Sequence, residues 1–74
     1  MSFRIPKIEN LEQCTQLKYL GLRKNLIKRI EGLENNTQLE EIELYDNRIR
    51  HIEGLSHLTN LVFLDLSYNR IREI

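Results

Sequence analysis

Leucine and isoleucine recur in this chain at a fixed period of 22 residues, and no other feature limits its possible folds so strongly. LEQCTQLKYLGLRKNLIKRIEG begins at Leu11, LENNTQLEEIELYDNRIRHIEG at Leu33 and LSHLTNLVFLDLSYNRIREI at Leu55. Aligned at that period, the columns read Leu11/Leu33/Leu55, Leu17/Leu39/Leu61, Leu20/Ile42/Leu64, Leu22/Leu44/Leu66, Asn25/Asn47/Asn69, Ile27/Ile49/Ile71 and Ile30/Ile52/Ile74. A repeat that short cannot bury its apolar residues alone. It must stack on its neighbours, so the chain is expected to wind as a solenoid with one coil per repeat.

The middle repeat shows how one coil is built. Glu41-Ile42-Glu43-Leu44-Tyr45 alternates polar and apolar residues with period two, the pattern of a strand with one buried face. Ile42 and Leu44 are expected inside, with Glu41, Glu43 and Tyr45 on the concave side. Asn47 turns the chain, and Ile49 and Ile52 fill the coil from the returning side. Gly32 and Gly54 supply backbone freedom before the next coil. Leu33-x-x-Asn36-x-x-Leu39 suits a 3₁₀ or extended turn on the convex side. The strands, centred on Leu20–Leu22, Ile42–Leu44 and Leu64–Leu66, are expected to pair in parallel. A side-chain amide both donates and accepts, so Asn25, Asn47 and Asn69 are expected to form a structural ladder between coils.

The expected organisation is one array over residues 1–74, with a partial repeat at 1–10, repeats at 11–32, 33–54 and 55–74, and no complete caps. In the partial repeat, Ile5 and Ile8 fall in the Ile27 and Ile30 columns, and Phe3 occupies the asparagine column. The array reads as a piece, or an abbreviated relative, of a longer one. Its unpartnered apolar ends predict marginal folding or end-to-end self-association.

Composition narrows the function. Eleven basic and eleven acidic residues give a formal net charge of zero, which argues against a dedicated nucleic-acid or membrane-surface protein. No apolar run approaches the roughly 20 residues of a membrane span. The start, MSFRIPKIEN, has no apolar core of signal-peptide length. A single cysteine, Cys14, makes no internal disulfide. The expectation is an intracellular protein of cytoplasm and nucleus.

Nothing in the sequence points to catalysis, a cofactor or a metal. His51 and His57 lack partners at metal-ligand or triad spacing and read as solvated surface residues. Cys14 shares a column with Asn36 and Leu58 and reads as a small packing residue. Lys28/Arg50/Arg72 form a basic column, with Arg48 and Arg70 beside it; Glu9, Glu31 and Glu53 run three positions away and are expected to offset it. Single-stranded nucleic-acid binding would need aromatics among those cations, whereas here the aromatics sit among carboxylates.

The concave columns are the informative ones: Tyr19/Glu41/Phe63, Gly21/Glu43/Asp65 and Arg23/Tyr45/Ser67, with Lys24/Asp46/Tyr68 at the strand ends. The core does not need these side chains, and Phe63 and Tyr45 turn apolar area toward solvent. Acids mixed with aromatics favour a protein-recognition patch of Glu41, Glu43, Tyr45, Phe63 and Asp65 over residues that merely cover one another.

The pattern L-x-x-L-x-L-x-x-N-x-I resembles the leucine-rich repeat. That resemblance implies an α/β-type solenoid with a short parallel sheet on its concave face, turns on its convex face and little regular α-helix. The 22-residue length, the closing N-x-I-x-x-I-E-G-L, and the segments LRKNLIKRIEGLE, ELYDNRIRHIEGL and LDLSYNRIREI are similar to the intracellular leucine-rich regulatory subunit of protein phosphatase 1. The resemblance covers nearly the whole chain. It implies a non-catalytic module that binds the phosphatase catalytic subunit through its concave face. The column implied to touch the phosphatase is Gly21/Glu43/Asp65, and Asp65 in LDLSYN matches that pattern best. The phosphatase regulators have many more repeats and a C-terminal cap, and most of their phosphatase contacts lie in repeats absent here. Repeats of this length also occur in flagellar, dynein-associated, spliceosomal and tubulin-handling proteins, so a cytoskeletal or ciliary scaffold is the alternative.

Overall fold

Each repeat places two apolar side chains, one residue apart, at the point where the chain runs straight, and a strand forms there. In a computed structural model, which describes residues 4–72, these are β1 (Tyr19–Gly21), β2 (Glu41–Glu43) and β3 (Phe63–Asp65). The expectations placed on Phe3 and Ile74 lie outside the described residues. The strands pair in parallel in the order β1-β2-β3, with Leu20 opposite Ile42 and Ile42 opposite Leu64. They are three residues long and centred on Leu20, Ile42 and Leu64, shorter than the sequence predicts. The ladder nevertheless continues past them: Leu22 N donates to Glu43 O at 2.8 Å, and Lys24 N to Tyr45 O at 2.8 Å. Leu44 N and Asp46 N make the same bonds to Asp65 O and Ser67 O, each at 2.9 Å.

The core lies between the sheet and the returning segments. Leu39, Ile42, Leu44 and Ile49 of the middle coil are fully buried, because coils lie on both sides of them. Each such side chain contributes roughly 1.5–3 kcal/mol of hydrophobic stabilisation. Of their counterparts in the outer coils, Leu20 and Ile27 are buried, while Leu17, Leu22, Leu61, Leu64, Leu66 and Ile71 are only half-buried. Two expectations need correction. Ile8 is buried rather than left bare, because the first coil covers it. Ile52, expected to fill its coil, is 42% exposed, whereas Ile30, one period earlier, is covered by the second coil.

The convex turns are built from successive bonds three residues apart: Asn36 N to Leu33 O and Leu39 N to Asn36 O, each at 3.2 Å. The same pairs recur at Cys14/Leu17 and Leu58/Leu61. These are tandem turns that do not merge into a 3₁₀-helix, and none of the described residues is helical.

Two backbone positions per coil lie in the left-handed region. One is Asn10, Gly32 and Gly54, with φ of 67°, 74° and 69°. Glycine is needed twice over at Gly32, where a Cβ would stand 2.6 Å from Ile8 O. The other position is Lys24, Asp46 and Tyr68, with φ of 59°, 61° and 58°. The sequence reading did not anticipate it.

Asparagines hold the coils in register at the sheet's end. Asn47 Oδ1 accepts from Ile27 N at 3.0 Å, while its Nδ2 donates to Leu22 O at 2.9 Å and Leu44 O at 3.1 Å. Asn69 repeats this with Ile49 N and with Leu44 O and Leu66 O. Asn25 accepts from Ile5 N and donates to Arg23 O. The amides thus satisfy backbone groups that the bend removes from water, each worth about 1–3 kcal/mol if left unpaired.

Candidate functional site

The outward side chains of the three strands form rows fixed by the register. Tyr19, Glu41 and Phe63 face one another in the first row; Gly21, Glu43 and Asp65 do so in the second. Adjacent strands stand about 4.8 Å apart, so each row is continuous at side-chain contact distance. Phe63 is 46% exposed and Tyr19 52%, with Glu41 exposed between them. The structure therefore brings Glu41, Glu43, Phe63 and Asp65 onto one face.

Three of the five expected site residues, Glu43, Tyr45 and Asp65, are half-buried and less available than the sequence suggested. Glu43 is half-buried: Tyr19 Oη donates to its Oε1 at 2.8 Å, and Arg23 Nε lies 3.6 Å from the same oxygen. Tyr19 reaches it by lying over Gly21, where a Cβ would come within 2.8 Å of the phenol oxygen. The Glu43 carboxylate raises the Tyr19 pKa from its ordinary value, first by accepting its hydrogen bond, then with partial desolvation and charge repulsion. Tyr45 is also half-buried. The ring of Tyr68 packs edge-on against it, with centroids 5.2 Å apart and planes at 65°. Its apolar area is covered, and the solvent-facing ring is Tyr68, at 75% exposure. Tyr68 was seen in the sequence only as a strand-end residue. Its signal was a bulky aromatic in a column that otherwise holds Lys24 and Asp46.

Asp65 is organised by its own turn. Ser67 N donates to Asp65 Oδ1 at 2.9 Å, and the Ser67 amide and hydroxyl together hold the carboxyl below its ordinary range. The carboxylate keeps its charge throughout the neutral range. At the N-terminal side of this face lies an open hollow of about 530 Å³, lined by Ile5, Tyr19, Leu22, Arg23 and Lys24 among others.

The remaining polar candidates lie elsewhere. Cys14 is exposed rather than packed, because its column is buried only from the second coil onward, at Asn36 and Leu58. Asn36 is a structural amide the sequence reading passed over: fully buried, it donates to Leu11 O and Cys14 O, each at 3.0 Å. Its Oδ1 has no partner. In the third coil Leu58 occupies that column, and His57 Nε2 bonds to Leu33 O at 2.8 Å, the carbonyl equivalent to Leu11 O. His57 is therefore an inter-coil tie, not merely a solvated residue. Among the described residues no three His, Cys, Asp or Glu side chains converge as metal ligands, and no helix is long and apolar enough to cross a membrane.

The face thus consists of rings and carboxylates on a rigid sheet, an arrangement suited to gripping a surface rather than transforming a small molecule. No curated protein matches the chain. The leucine rich repeat family profile matches residues 15–71. That span takes in all three strands, the second and third convex turns and the three asparagines, and such repeats are typically non-enzymatic protein-interaction modules. With its period, its parallel sheet and its inter-coil amides, the chain belongs to the leucine-rich repeat family.

Proposed function

We propose that the chain is a regulatory protein-recognition module whose sheet face binds the catalytic subunit of protein phosphatase 1. One observation carries the recognition reading. Phe63, Tyr19 and Tyr68 expose large ring area beside Glu41 and Asp65, on a face that contributes nothing to the core. Exposed rings ringed by charge are the usual anchors of a protein interface. The phosphatase reading rests on the resemblance of ELYDN and LDLSYN to the phosphatase regulators, and it goes with a nuclear and cytoplasmic location. Asp65 is the central acid, Phe63 the apolar anchor and Glu41 a second charge. Glu43 contributes through the Tyr19–Glu43–Arg23 group rather than as a bare carboxylate.

Affinity capture from cell extract tests it. Wild-type chain retains the phosphatase catalytic subunit, and Asp65→Arg loses it while keeping the same circular dichroism spectrum. Capture of tubulin, dynein or axonemal proteins in its place, unaffected by Asp65→Arg, would assign the chain to the scaffold class instead.

A further inference from the structure

A second surface, away from the sheet face, collects positive charge. The returning segments of the first two coils and the start of the third bring Lys28, Arg29, Arg48, Arg50, His51 and Arg70 around one hollow of about 450 Å³. The expected compensation by the glutamate column is largely missing. Among the described residues only Arg29 meets it, with its Nε 3.4 Å from Glu53 Oε2. Lys28, Arg48, Arg50 and Arg70 have no carboxylate within ion-pair distance among the described residues. The backbone enforces this crowding. Arg48 N donates to Ile27 O at 2.8 Å and Arg70 N to Ile49 O at 2.9 Å, which stacks Arg48 under Arg70 and Lys28 under Arg50 at the spacing of neighbouring strands. The chain as a whole has no net charge, so this is a local concentration and not a reflection of bulk basicity.

Like charges held this close repel, and an anion that enters the hollow relieves several repulsions at once. Guanidinium groups present forked donors matched to phosphate oxygens. The hollow falls within the ordinary size range of small-ligand sites. No Phe, Tyr or Trp ring lines it, so the extended aromatic platform on which single-stranded bases stack is missing. Across the coils the cations stand about 4.8 Å apart, closer than the roughly 7 Å between alternate carboxylates of an extended acidic peptide. A compact polyphosphate places several negative charges in the same volume. We propose that this hollow binds a compact polyphosphate group, whether a soluble polyphosphate or the headgroup of a phosphoinositide.

Titration of the labelled chain with sodium tripolyphosphate, followed by amide chemical shifts at physiological ionic strength, tests the proposal. The expected result is saturation at one anion per chain, with the largest shifts at Arg29, Arg48, Arg50 and Arg70. Arg48→Ser with Arg50→Ser weakens binding about tenfold or more, and so does Lys28→Ser with Arg70→Ser. Lys7→Ser with Lys18→Ser removes equal charge elsewhere and changes binding less than about twofold. Phosphatidylcholine vesicles doped with a phosphoinositide separate the two sources: capture by these vesicles without binding of tripolyphosphate assigns the lipid headgroup, and the reverse assigns the soluble anion. Equal weakening by the control pair, or an affinity for single-stranded oligonucleotides that rises with their length and exceeds that for tripolyphosphate, would overturn the assignment.

Discussion

Tyr19 Oη donates a hydrogen bond to Glu43 Oε1 at 2.8 Å, joining the first and second coils across the outer face of the sheet. The bond exists because Gly21 leaves room for the ring to lie over the strand. It draws an otherwise solvent-facing acid into a fixed group with Arg23, and so divides the sheet face into a preset half and a more open half around Phe63.

The first prediction concerns that bond. Glu43 holds the Tyr19 pKa above its ordinary value, so the neutral phenol binds its proton more tightly in the folded chain. The resulting stabilisation is complete below the ordinary tyrosine value and disappears as pH rises through the folded one. Glu43→Gln should move the Tyr19 titration downward, as read from its ring carbon shifts. An unchanged titration would mean that the two side chains do not pair in solution.

Asp65 gives the opposite dependence. Its pKa is lowered by the Ser67 amide and hydroxyl, so its contribution is present above the ordinary carboxylate value and lost as pH falls through the lowered one. Ser67→Ala should raise the Asp65 pKa part of the way, since the amide bond remains. A full return to the ordinary value would show that the hydroxyl alone set the shift.

Asn47 ties the second coil to the first through Ile27 N and Leu22 O, and Asn47→Ala should destabilise the chain by about 1–3 kcal/mol in denaturant titration. The convex side permits an exchange. Asn36→Leu removes an inter-coil donor together with an orphaned buried oxygen, and reproduces the Leu58 arrangement of the third coil. Adding Asn35→His exchanges the long, exposed Asn35 bond to Glu12 O, at 3.3 Å, for the donor that His57 provides there, and should recover up to about 1 kcal/mol over the single variant. No recovery would show that the His57 bond to Leu33 O contributes nothing to stability.

Tyr68 carries a bulky ring in the left-handed region, at a cost of roughly 1–2 kcal/mol that its repeat position imposes. The edge-on contact with Tyr45 returns about 0.5–1.5 kcal/mol. Tyr68→Gly should therefore leave the melting temperature almost unchanged while weakening partner capture. A large loss of stability would make the ring a structural residue and remove it from the site.

The period made the strands, their register and the buried columns legible, because identical apolar spacing in three coils allows only one way of stacking them. The sheet-end amides followed from the same columns. The convex ties did not, since the donor moves from Asn36 to His57, one position over, and leaves no column to read. The state of Glu43 was hidden for another reason: it depends on a tyrosine two residues before a glycine in the preceding coil, a relation of side-chain reach rather than of period. Ile52 shows that a column predicts burial only when the coil that covers it is present.

Recognition through the sheet face is the central claim, and site-specific photocrosslinking tests it most directly. Benzoylphenylalanine placed at Phe63 should form adducts with purified protein phosphatase 1 catalytic subunit, and Asp65→Arg in the same chain should abolish them. The same probe at Thr37, exposed on the convex turn, should form none. Adducts from Thr37 with none from Phe63 would contradict the account.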